Sequence, residues 1–596
     1  MLPLSRSLTH PHSLPDYTRD SRLHQERELP TSEDNYRSVL VTTPPPFPDV
    51  EDLSDSESHD FEDNNETSIT QPTKAFFLGP SCDTLLDDDP NTREKSKTHS
   101  LTPAINPLEY HGLDNSPLPP KKGSRFYRYV RWNFGSVYRR IFCLAFLGNV
   151  AALAFLITQS TIHGDNKTLT FQQAGTAVTA NLLAAMLVRN EHIVNVLFWV
   201  FGTWSRRLPF WARKLVAKVY SYGGIHSGGA VAATFWYIAY LVLLTKDFQS
   251  GSAPLSVVRS YIYFVSYGIL FMLLSMLIFA HPRLRVVMHN WFEGIHRFMG
   301  WTVVLLFWAQ TMLLSADVSD IPLGQALLVS PTFWMLIAIT LLVIYPWTRM
   351  RLRDVEAEVL SDHCVKLNFK YRDVHYGQAI RLTDAPLKET HAFGVVPFPA
   401  APEQKNSTKP SRPDIKQAQT LSHAGEKGFS VFISNAGDWT RKIIQNPPTK
   451  IYTRGTPQFG VLRCAGLFER PVIVATGSGI APCLSLFVQK PDHLRGIRVV
   501  WSAPSPLETY GQPVIDLILK TDPKAIIIDT RKMKLRPDLV KVAFRVWEEQ
   551  TRGEGVGREK KGESAVVIIS NQKVTKKVVY GLESRGVPAY GAIFDS

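Results

Sequence analysis

The sequence predicts an α-helical six-span membrane bundle followed by a cytoplasmic module: an antiparallel β-barrel, then an α/β parallel-sheet nucleotide domain. Three observations predict it. Six apolar stretches lie between residues 141 and 347, each near the ~20 residues a helix needs to cross roughly 30 Å of hydrocarbon. From Arg353 the apolar period falls to two, as in VEAEVL, VKLNFKY and QAIRLT. A continuous apolar run, Val472 to Ala475, reads as a buried parallel strand; it meets Gly477-Ser478-Gly479-Ile480-Ala481-Pro482 and then a helical stretch.

The bulk numbers agree. At 596 residues there is room for several domains, and the net charge is +13. Much of the basic excess flanks apolar stretches, so membrane lipids account for it and no nucleic-acid partner is expected. The five cysteines form no CxxC pair, which argues against a disulfide framework or a zinc site. The first 20 residues lack an apolar run, so no cleaved signal peptide is expected.

In order, residues 1–120 are rich in Pro, Ser, Asp and Glu and are expected to be a disordered cytoplasmic tail. The bundle occupies residues 121–350. It opens on KKGSRFYRYVRWNFGSVYRR, basic and aromatic, as for a segment lying on an anionic inner leaflet. The spans are Ile141–Ile157, Phe171–Val188, Ile225–Leu244, Tyr261–Ala280, Phe298–Leu314 and Ala326–Trp347. Arg189, Arg206, Arg207, Arg213, Lys214 and Lys218 lie between spans two and three, and Arg349, Arg351 and Arg353 follow span six. The positive-inside rule then makes both termini cytoplasmic, in a multi-pass protein of the plasma membrane or an endomembrane. Asn166 would face outside as a glycosylation acceptor. The apolar segment 191–204 is short and reads as an interfacial helix; as a seventh span it would invert the topology after it.

Two spans open with a histidine, His226 and His296. Both spans run in the same direction, so the two lie at similar depth near the cytoplasmic face. Two readings stand. The imidazoles hold one metal, a haem b iron, between two helices, or each is a lone interfacial histidine bonded to a carbonyl or headgroup.

The barrel spans residues 351–465, with a Pro-rich insertion at 397–428. Thr440, in Gly437-Asp438-Trp439-Thr440, is placed to cap a helix through its hydroxyl. Arg454, in Arg454-Gly455-Thr456-Pro457, stands where the family resemblance given below implies a turn, as a phosphate partner or a solvated strand-end arginine. The nucleotide domain covers 466–596. Gly477, Ser478 and Gly479 let the backbone approach a pyrophosphate at a helix N-terminus, and Pro482 suits the first turn. Arg531, Lys532 and Lys534 are candidates for choosing NADPH over NADH; a solvated loop is the other reading. Arg536-Pro537-Asp538 doubles as a helix start.

These segments, over roughly residues 136–596, resemble the ferric reductase and NADPH oxidase superfamily. Within it they are similar to fungal TmpA-like integral membrane flavoproteins, on GDWT, ATGSGIAP and the terminal YGAIFDS. The resemblance implies a ferredoxin-reductase-like cytoplasmic module. It implies FAD beside His391 and Phe393, NAD(P)H at the glycine turn, Phe594 stacked on the flavin, and a role in sporulation. Three departures stand out. Ala239, Tyr240, Ala309 and Gln310 occupy the places of the outer haem histidines, about 20 Å from the inner pair. Gly394 replaces the serine that bonds flavin N5, and Ser570-Asn571 replaces a late Cys-Gly-Pro. The expected function is electron transfer from NAD(P)H through FAD to an inner-face small-molecule or protein acceptor, by way of one haem. The rival is a non-catalytic redox sensor or scaffold that binds a dinucleotide.

Overall fold

Helices dominate up to residue 348 and strands begin at Arg351, where the apolar period changes. The computed structural model describes residues 117–162, 169–250, 256–318, 320–400, 423–534, 536–552 and 563–592. The tail to residue 116, Asn166, most of the Pro-rich insertion and Phe594 lie outside the described residues, so the expectations placed on them are not addressed.

The helical part runs α1 (Arg125–Asn133), α2 (Val137–Ile162), α3 (Phe171–Leu187), α4 (Glu191–Gly202), α5 (Phe210–Val216), α6 (Gly223–Ser250), α7 (Val257–Ala280), α8 (Pro282–Val287), α9 (His289–Val318), α10 (Leu323–Val329) and α11 (Pro331–Thr348). Five helical segments are long and apolar enough to cross a membrane among the described residues, and a sixth if the pair α3–α4, bent by 67°, is one span. The expected sixth span is broken at Ser330. Pro331 has no N–H to give and disfavours helix before it, so α10 stops and α11 starts afresh.

Glycine and asparagine set the helix packing. α6 presses its backbone on α2: a Cβ on Gly228 would sit 2.7 Å from the Phe142 carbonyl oxygen, and one on Gly224 would collide with that of Tyr138. Asn149 of α2 accepts from Asn181 of α3 (2.8 Å) and from the Trp236 indole of α6 (2.9 Å), tying three helices together inside apolar surroundings.

The barrel is a seven-stranded antiparallel sheet, β1 (Arg351–Asp354), β2 (Glu356–Ser361), β3 (Cys364–Phe369), β4 (Gln378–Thr383), β5 (His391–Pro397), β6 (Phe429–Ser434) and β7 (Lys450–Phe459), ordered β1-β7-β4-β5-β6-β3-β2. Helix α12 (Asp438–Gln445) follows β6. The expected turn at 454–457 is instead a bulge inside β7. Ala379 pairs with Gln458 but Arg381 pairs with Arg454, so β7 carries extra residues there, with Gly455 at φ +71°.

The last domain is a five-stranded parallel sheet, order β10-β9-β8-β11-β12. Its elements are β8 (Val472–Thr476), α13 (Ile480–Val488), β9 (Arg498–Ala503), α14 (Pro506–Tyr510), α15 (Gln512–Thr521), β10 (Ile526–Asp529), α16 (Thr530–Met533), α17 (Leu539–Arg552), β11 (Val566–Ile569), α18 (Gln572–Glu583) and β12 (Ala589–Gly591). The inner strands read as near-continuous apolar runs because helices cover both faces: Val472, Ile473, Val474 and Ala475 are all buried. An antiparallel barrel followed by such a sheet is a ferredoxin-reductase-like arrangement.

Helix α4 joins bundle to module. Val194 and Phe198 are fully buried in the same core as Leu462, Cys464 and Trp501. Asn195 donates to the Pro457 carbonyl (2.9 Å) and accepts from Phe459 N–H (2.9 Å), so its amide extends the ladder of β7. Buried Glu191 sits against the Gly455 bulge, where a Cβ would strike its carboxylate.

Candidate functional site

The parallel sheet reverses direction between β8 and β11: β9 and β10 lie to one side of β8, β11 and β12 to the other. At such a switch point the loops leaving adjacent strands part, and a crevice opens outside their carboxyl ends. The loop after β8 is Gly477–Gly479, a single turn that feeds α13. The loop after β11 is Ser570-Asn571, which starts α18, with Asn571 accepting from Val574 N–H at 2.9 Å. The hydroxyls of Thr476 and Ser570 lie 2.5 Å apart and tie the two loops at their base.

Each glycine in the turn has a separate reason. Gly477 takes φ +49°, a left-handed conformation costly to other residues, and open space surrounds the place a Cβ would occupy. Gly479 has no room: a Cβ there would collide with the Ile569 carbonyl of β11. The Gly477 carbonyl accepts from the buried Trp501 indole of β9 at 3.0 Å and from Ile480 N–H. In a trans peptide the C=O and the next N–H point in opposite directions, so this pins the Ser478 N–H away from the core. The opening N–H groups of a helix have no acceptors within it and favour an anion. Residues Gly477, Ser478, Gly479 and Pro482 thus come together as the sequence suggests, and the backbone cradle fits a dinucleotide diphosphate.

The flavin-side residues are also brought together. His391 and Phe393 share one face of β5 and both meet Trp439 of α12, with ring centroids 4.4 Å and 5.9 Å away. The His391 Nε2 and Trp439 Nε1 atoms are buried without a hydrogen-bond partner. Those orphaned atoms and the partly buried Phe393 ring fit a flavin laid along β5. Gly394 has no side chain, and a Cβ there would come 2.7 Å from the Pro482 ring. Thr440 caps α12 through its hydroxyl, as expected, reaching back from the first turn to the N-cap backbone. Its hydroxyl accepts from the Ala436 and Gly437 N–H groups (2.9 and 3.0 Å) and clips the preceding loop.

Other candidates resolve differently. Arg454 stacks over Trp347 at 4.5 Å from its centroid, and burial with Arg381 nearby lowers its guanidinium pKa to about 10. It serves the seam between barrel and bundle. Asp538 is a helix cap, accepting from Val540 N–H at 3.0 Å. Arg531, Lys532 and Lys534 are exposed at the carboxyl end of β10. Burial pushes the Cys364 thiol up to about 11 and the Cys464 thiol up to about 12, and raises Cys483 as well, so none is a ready thiolate.

His226 and His296 do meet: their ring centroids are 6.1 Å apart with planes at 70°. His226 Nδ1 is bonded to the Ala185 carbonyl (3.0 Å), and His296 Nδ1 is buried without a partner. Imidazole–metal bonds of about 2.0–2.1 Å on two sides of one ion would set ring centroids roughly 6 Å apart, which is the spacing of this pair. Farther along the same helices the space is filled. Gln310 donates to the Tyr237 hydroxyl (2.8 Å) and to Ser266 (2.5 Å), and Phe307 packs edge-on to Tyr237. Sequence reasoning missed Trp501 and Asn195, since neither lies in a motif; the apolar run around Trp501 signals burial only.

The family described as the C-terminal domain of adenylate-forming reductase 03009 matches residues 461–596. Two relatives from Coprinopsis cinerea, adenylate-forming reductases 03009 and 06235, are each 38% identical over 508 residues. The matches cover 85% and 84% of this chain but 45% and 44% of theirs, so the chain spans less than half the length of the curated relatives it matches. Similarity to adenylate-forming reductases overturns the expected membership of the ferric reductase and NADPH oxidase superfamily and its TmpA-like branch. Among solved structures, a Malassezia yamatoensis flavohemoglobin with bound FAD and heme is 13% identical over 71% of this chain and 98% of its own, with a TM-score of 0.31. A Plasmodium falciparum ferredoxin-NADP+ reductase with 2'P-AMP is 12% identical over 41% of this chain and 94% of its own, with a TM-score of 0.28. At such scores their sites do not superpose usefully on this chain.

Proposed function

We propose that this chain is a membrane-anchored, NAD(P)H-dependent reductase module whose dinucleotide binds between the loops after β8 and β11. The relatives are named for adenylate formation and reduction, and the crevice suits the second. The observation that carries the reading is the cradle itself: a switch-point crevice with a pinned carbonyl, outward amides and a glycine that admits no Cβ. A bound nicotinamide supplies a hydride, and a bound flavin supplies the step from two electrons to one. The chain's own groups do the rest. The amides of Ser478 and Gly479 offset diphosphate charge, Thr476 and Ser570 fix the width of the crevice, and Pro482 seals the turn against β5.

A second reading adds one haem between His226 and His296, favoured by their 6.1 Å separation and the unpartnered His296 nitrogen. The filled space around Tyr237 and Gln310 supports one haem at most. Absorption spectra of the detergent-purified protein, oxidised and dithionite-reduced, count flavin and haem together. Steady-state NADPH and NADH consumption with a supplied dye then separates a reductase from a sensor. Saturable consumption supports the reductase, binding without turnover supports the sensor, and no binding of either dinucleotide removes both.

A further inference from the structure

We propose that α1, α4 and α5 form a collar in the membrane interface, each with one face in the reductase module and the other in an anionic lipid surface. The proposal rests on the membrane reading above and goes beyond it. It makes the nucleotide domain a body seated on the bilayer rather than one hung from a linker.

The module-facing sides are defined by their contacts. On α1, Trp132 packs edge-on to Tyr580 of α18 with centroids 5.1 Å apart. Just before α1, Lys122 N–H donates to the Ser584 carbonyl at 2.7 Å. On α4, Val194 and Phe198 lie in the module's core. On α5, Arg213 donates to the Leu467 carbonyl at 2.7 Å and pairs with Glu563, while Phe210 meets Phe468.

The opposite sides are apolar and uncovered. Phe126, Val130 and Phe134 recur at helical spacing on and just beyond α1, about half a turn from Trp132, and the phenylalanines are 76% and 61% exposed. Val196 and Trp199 of α4 are 56% and 59% exposed, and Trp211 and Leu215 of α5 are 68% and 64% exposed. Three separate elements with this division are hard to reconcile with water on the outer side.

Chain continuity identifies what covers them. α1 leads within four residues into α2, α4 leaves α3 at a bend, and α5 leads through a short 3-10 turn into α6. Phe210–Ser250 is a 41-residue run, about 60 Å long as helix and twice the hydrocarbon thickness, so its first part lies outside the crossing. Tryptophan and phenylalanine with flanking arginines suit the headgroup layer, and Arg125, Arg139, Arg140 and Arg207 supply the cationic partners of an anionic leaflet. α18, which α1 holds, begins directly after Ser570-Asn571, so the collar is one helix away from the crevice.

The test uses full-length protein in nanodiscs of phosphatidylcholine and phosphatidylserine, with Cys82 and Cys143 replaced by serine. Spin labels go on Val130, Val196 and Leu215, with Leu144 and Phe235 of the spans and Glu508 of α14 as controls. Collision rates with oxygen and with a water-soluble nickel chelate are compared by electron paramagnetic resonance. The three collar labels are expected to favour oxygen several-fold over the Glu508 label. Collar labels that favour nickel while the Leu144 and Phe235 labels favour oxygen would overturn the collar alone. Collar labels shielded from both agents would place a protein partner there and equally overturn it. Nickel-favouring labels at Leu144 and Phe235 would instead remove the membrane reading itself.

Discussion

Two neighbouring glycines, Gly477 and Gly394, are treated in opposite ways. Around Gly477 there is open space, and the backbone adopts a left-handed turn with its carbonyl pinned inward. Around Gly394 there is none, because Pro482 on the first turn of α13 lies where a side chain would start. One helix therefore opens the dinucleotide crevice with its N-terminus and closes the edge of β5 with its proline. Loss of the expected serine at 394 is thus part of how the two domains pack. A glycine in a motif reports either a ligand or a neighbour, and only the three-dimensional contact says which.

The comparison can be broken in four ways, in falling order of effect. Gly479→Val drives a branched side chain into the Ile569 carbonyl and is expected to abolish NADPH binding in a calorimetric titration. Affinity within twofold of wild type would show that the turn does not form the site. Asn195→Leu leaves the Phe459 N–H without its partner, at about 1–3 kcal/mol, and the Pro457 carbonyl with only the 3.4 Å bond from Gln378, so the thermal midpoint should fall and β7 should become open to limited proteolysis. An unchanged midpoint would mean that α4 does not hold the barrel.

Gly394→Ser should cost about 1–3 kcal/mol by overpacking against Pro482, read as a lower unfolding midpoint. A serine tolerated there, with a sharper flavin spectrum, would show that β5 and α13 part in solution. Trp501→Phe keeps an aromatic ring but removes the indole N–H and part of a fully buried side chain. The expected loss is about 1 kcal/mol, roughly a fivefold rise in the NADPH dissociation constant, with little change for adenosine 2'-monophosphate, which has no diphosphate bridge. Equal weakening of both ligands would reduce Trp501 to a packing residue.

Much of the fold was legible because periodicity is local. The strand QAIRLT is β4 residue for residue, and the glycine turn sits between β8 and α13 as expected. What long-range contact decides was hidden. The segment 191–204 reads as an apolar interfacial piece, yet Val194 and Phe198 belong to the module's core. The residues 454–457 look like a turn but are a bulge shaped by Glu191, more than 260 residues away in sequence. The indole that fixes the Gly477 carbonyl looks, in sequence, like one more core aromatic. The histidines were found from their depth alone, and the structure sets them 6.1 Å apart. The family was misread because GDWT and ATGSGIAP mark a dinucleotide-and-flavin architecture more than a lineage.

The most direct test of the crevice is photo-labelling of the full-length protein with an azido-adenine NADP analogue, followed by peptide mapping. The account predicts that label enters peptides from the strands and loops flanking the crevice, residues 470–487, 498–534 or 566–575, and that excess NADPH prevents it. Label that NADPH displaces from the barrel or the helical bundle instead would contradict it.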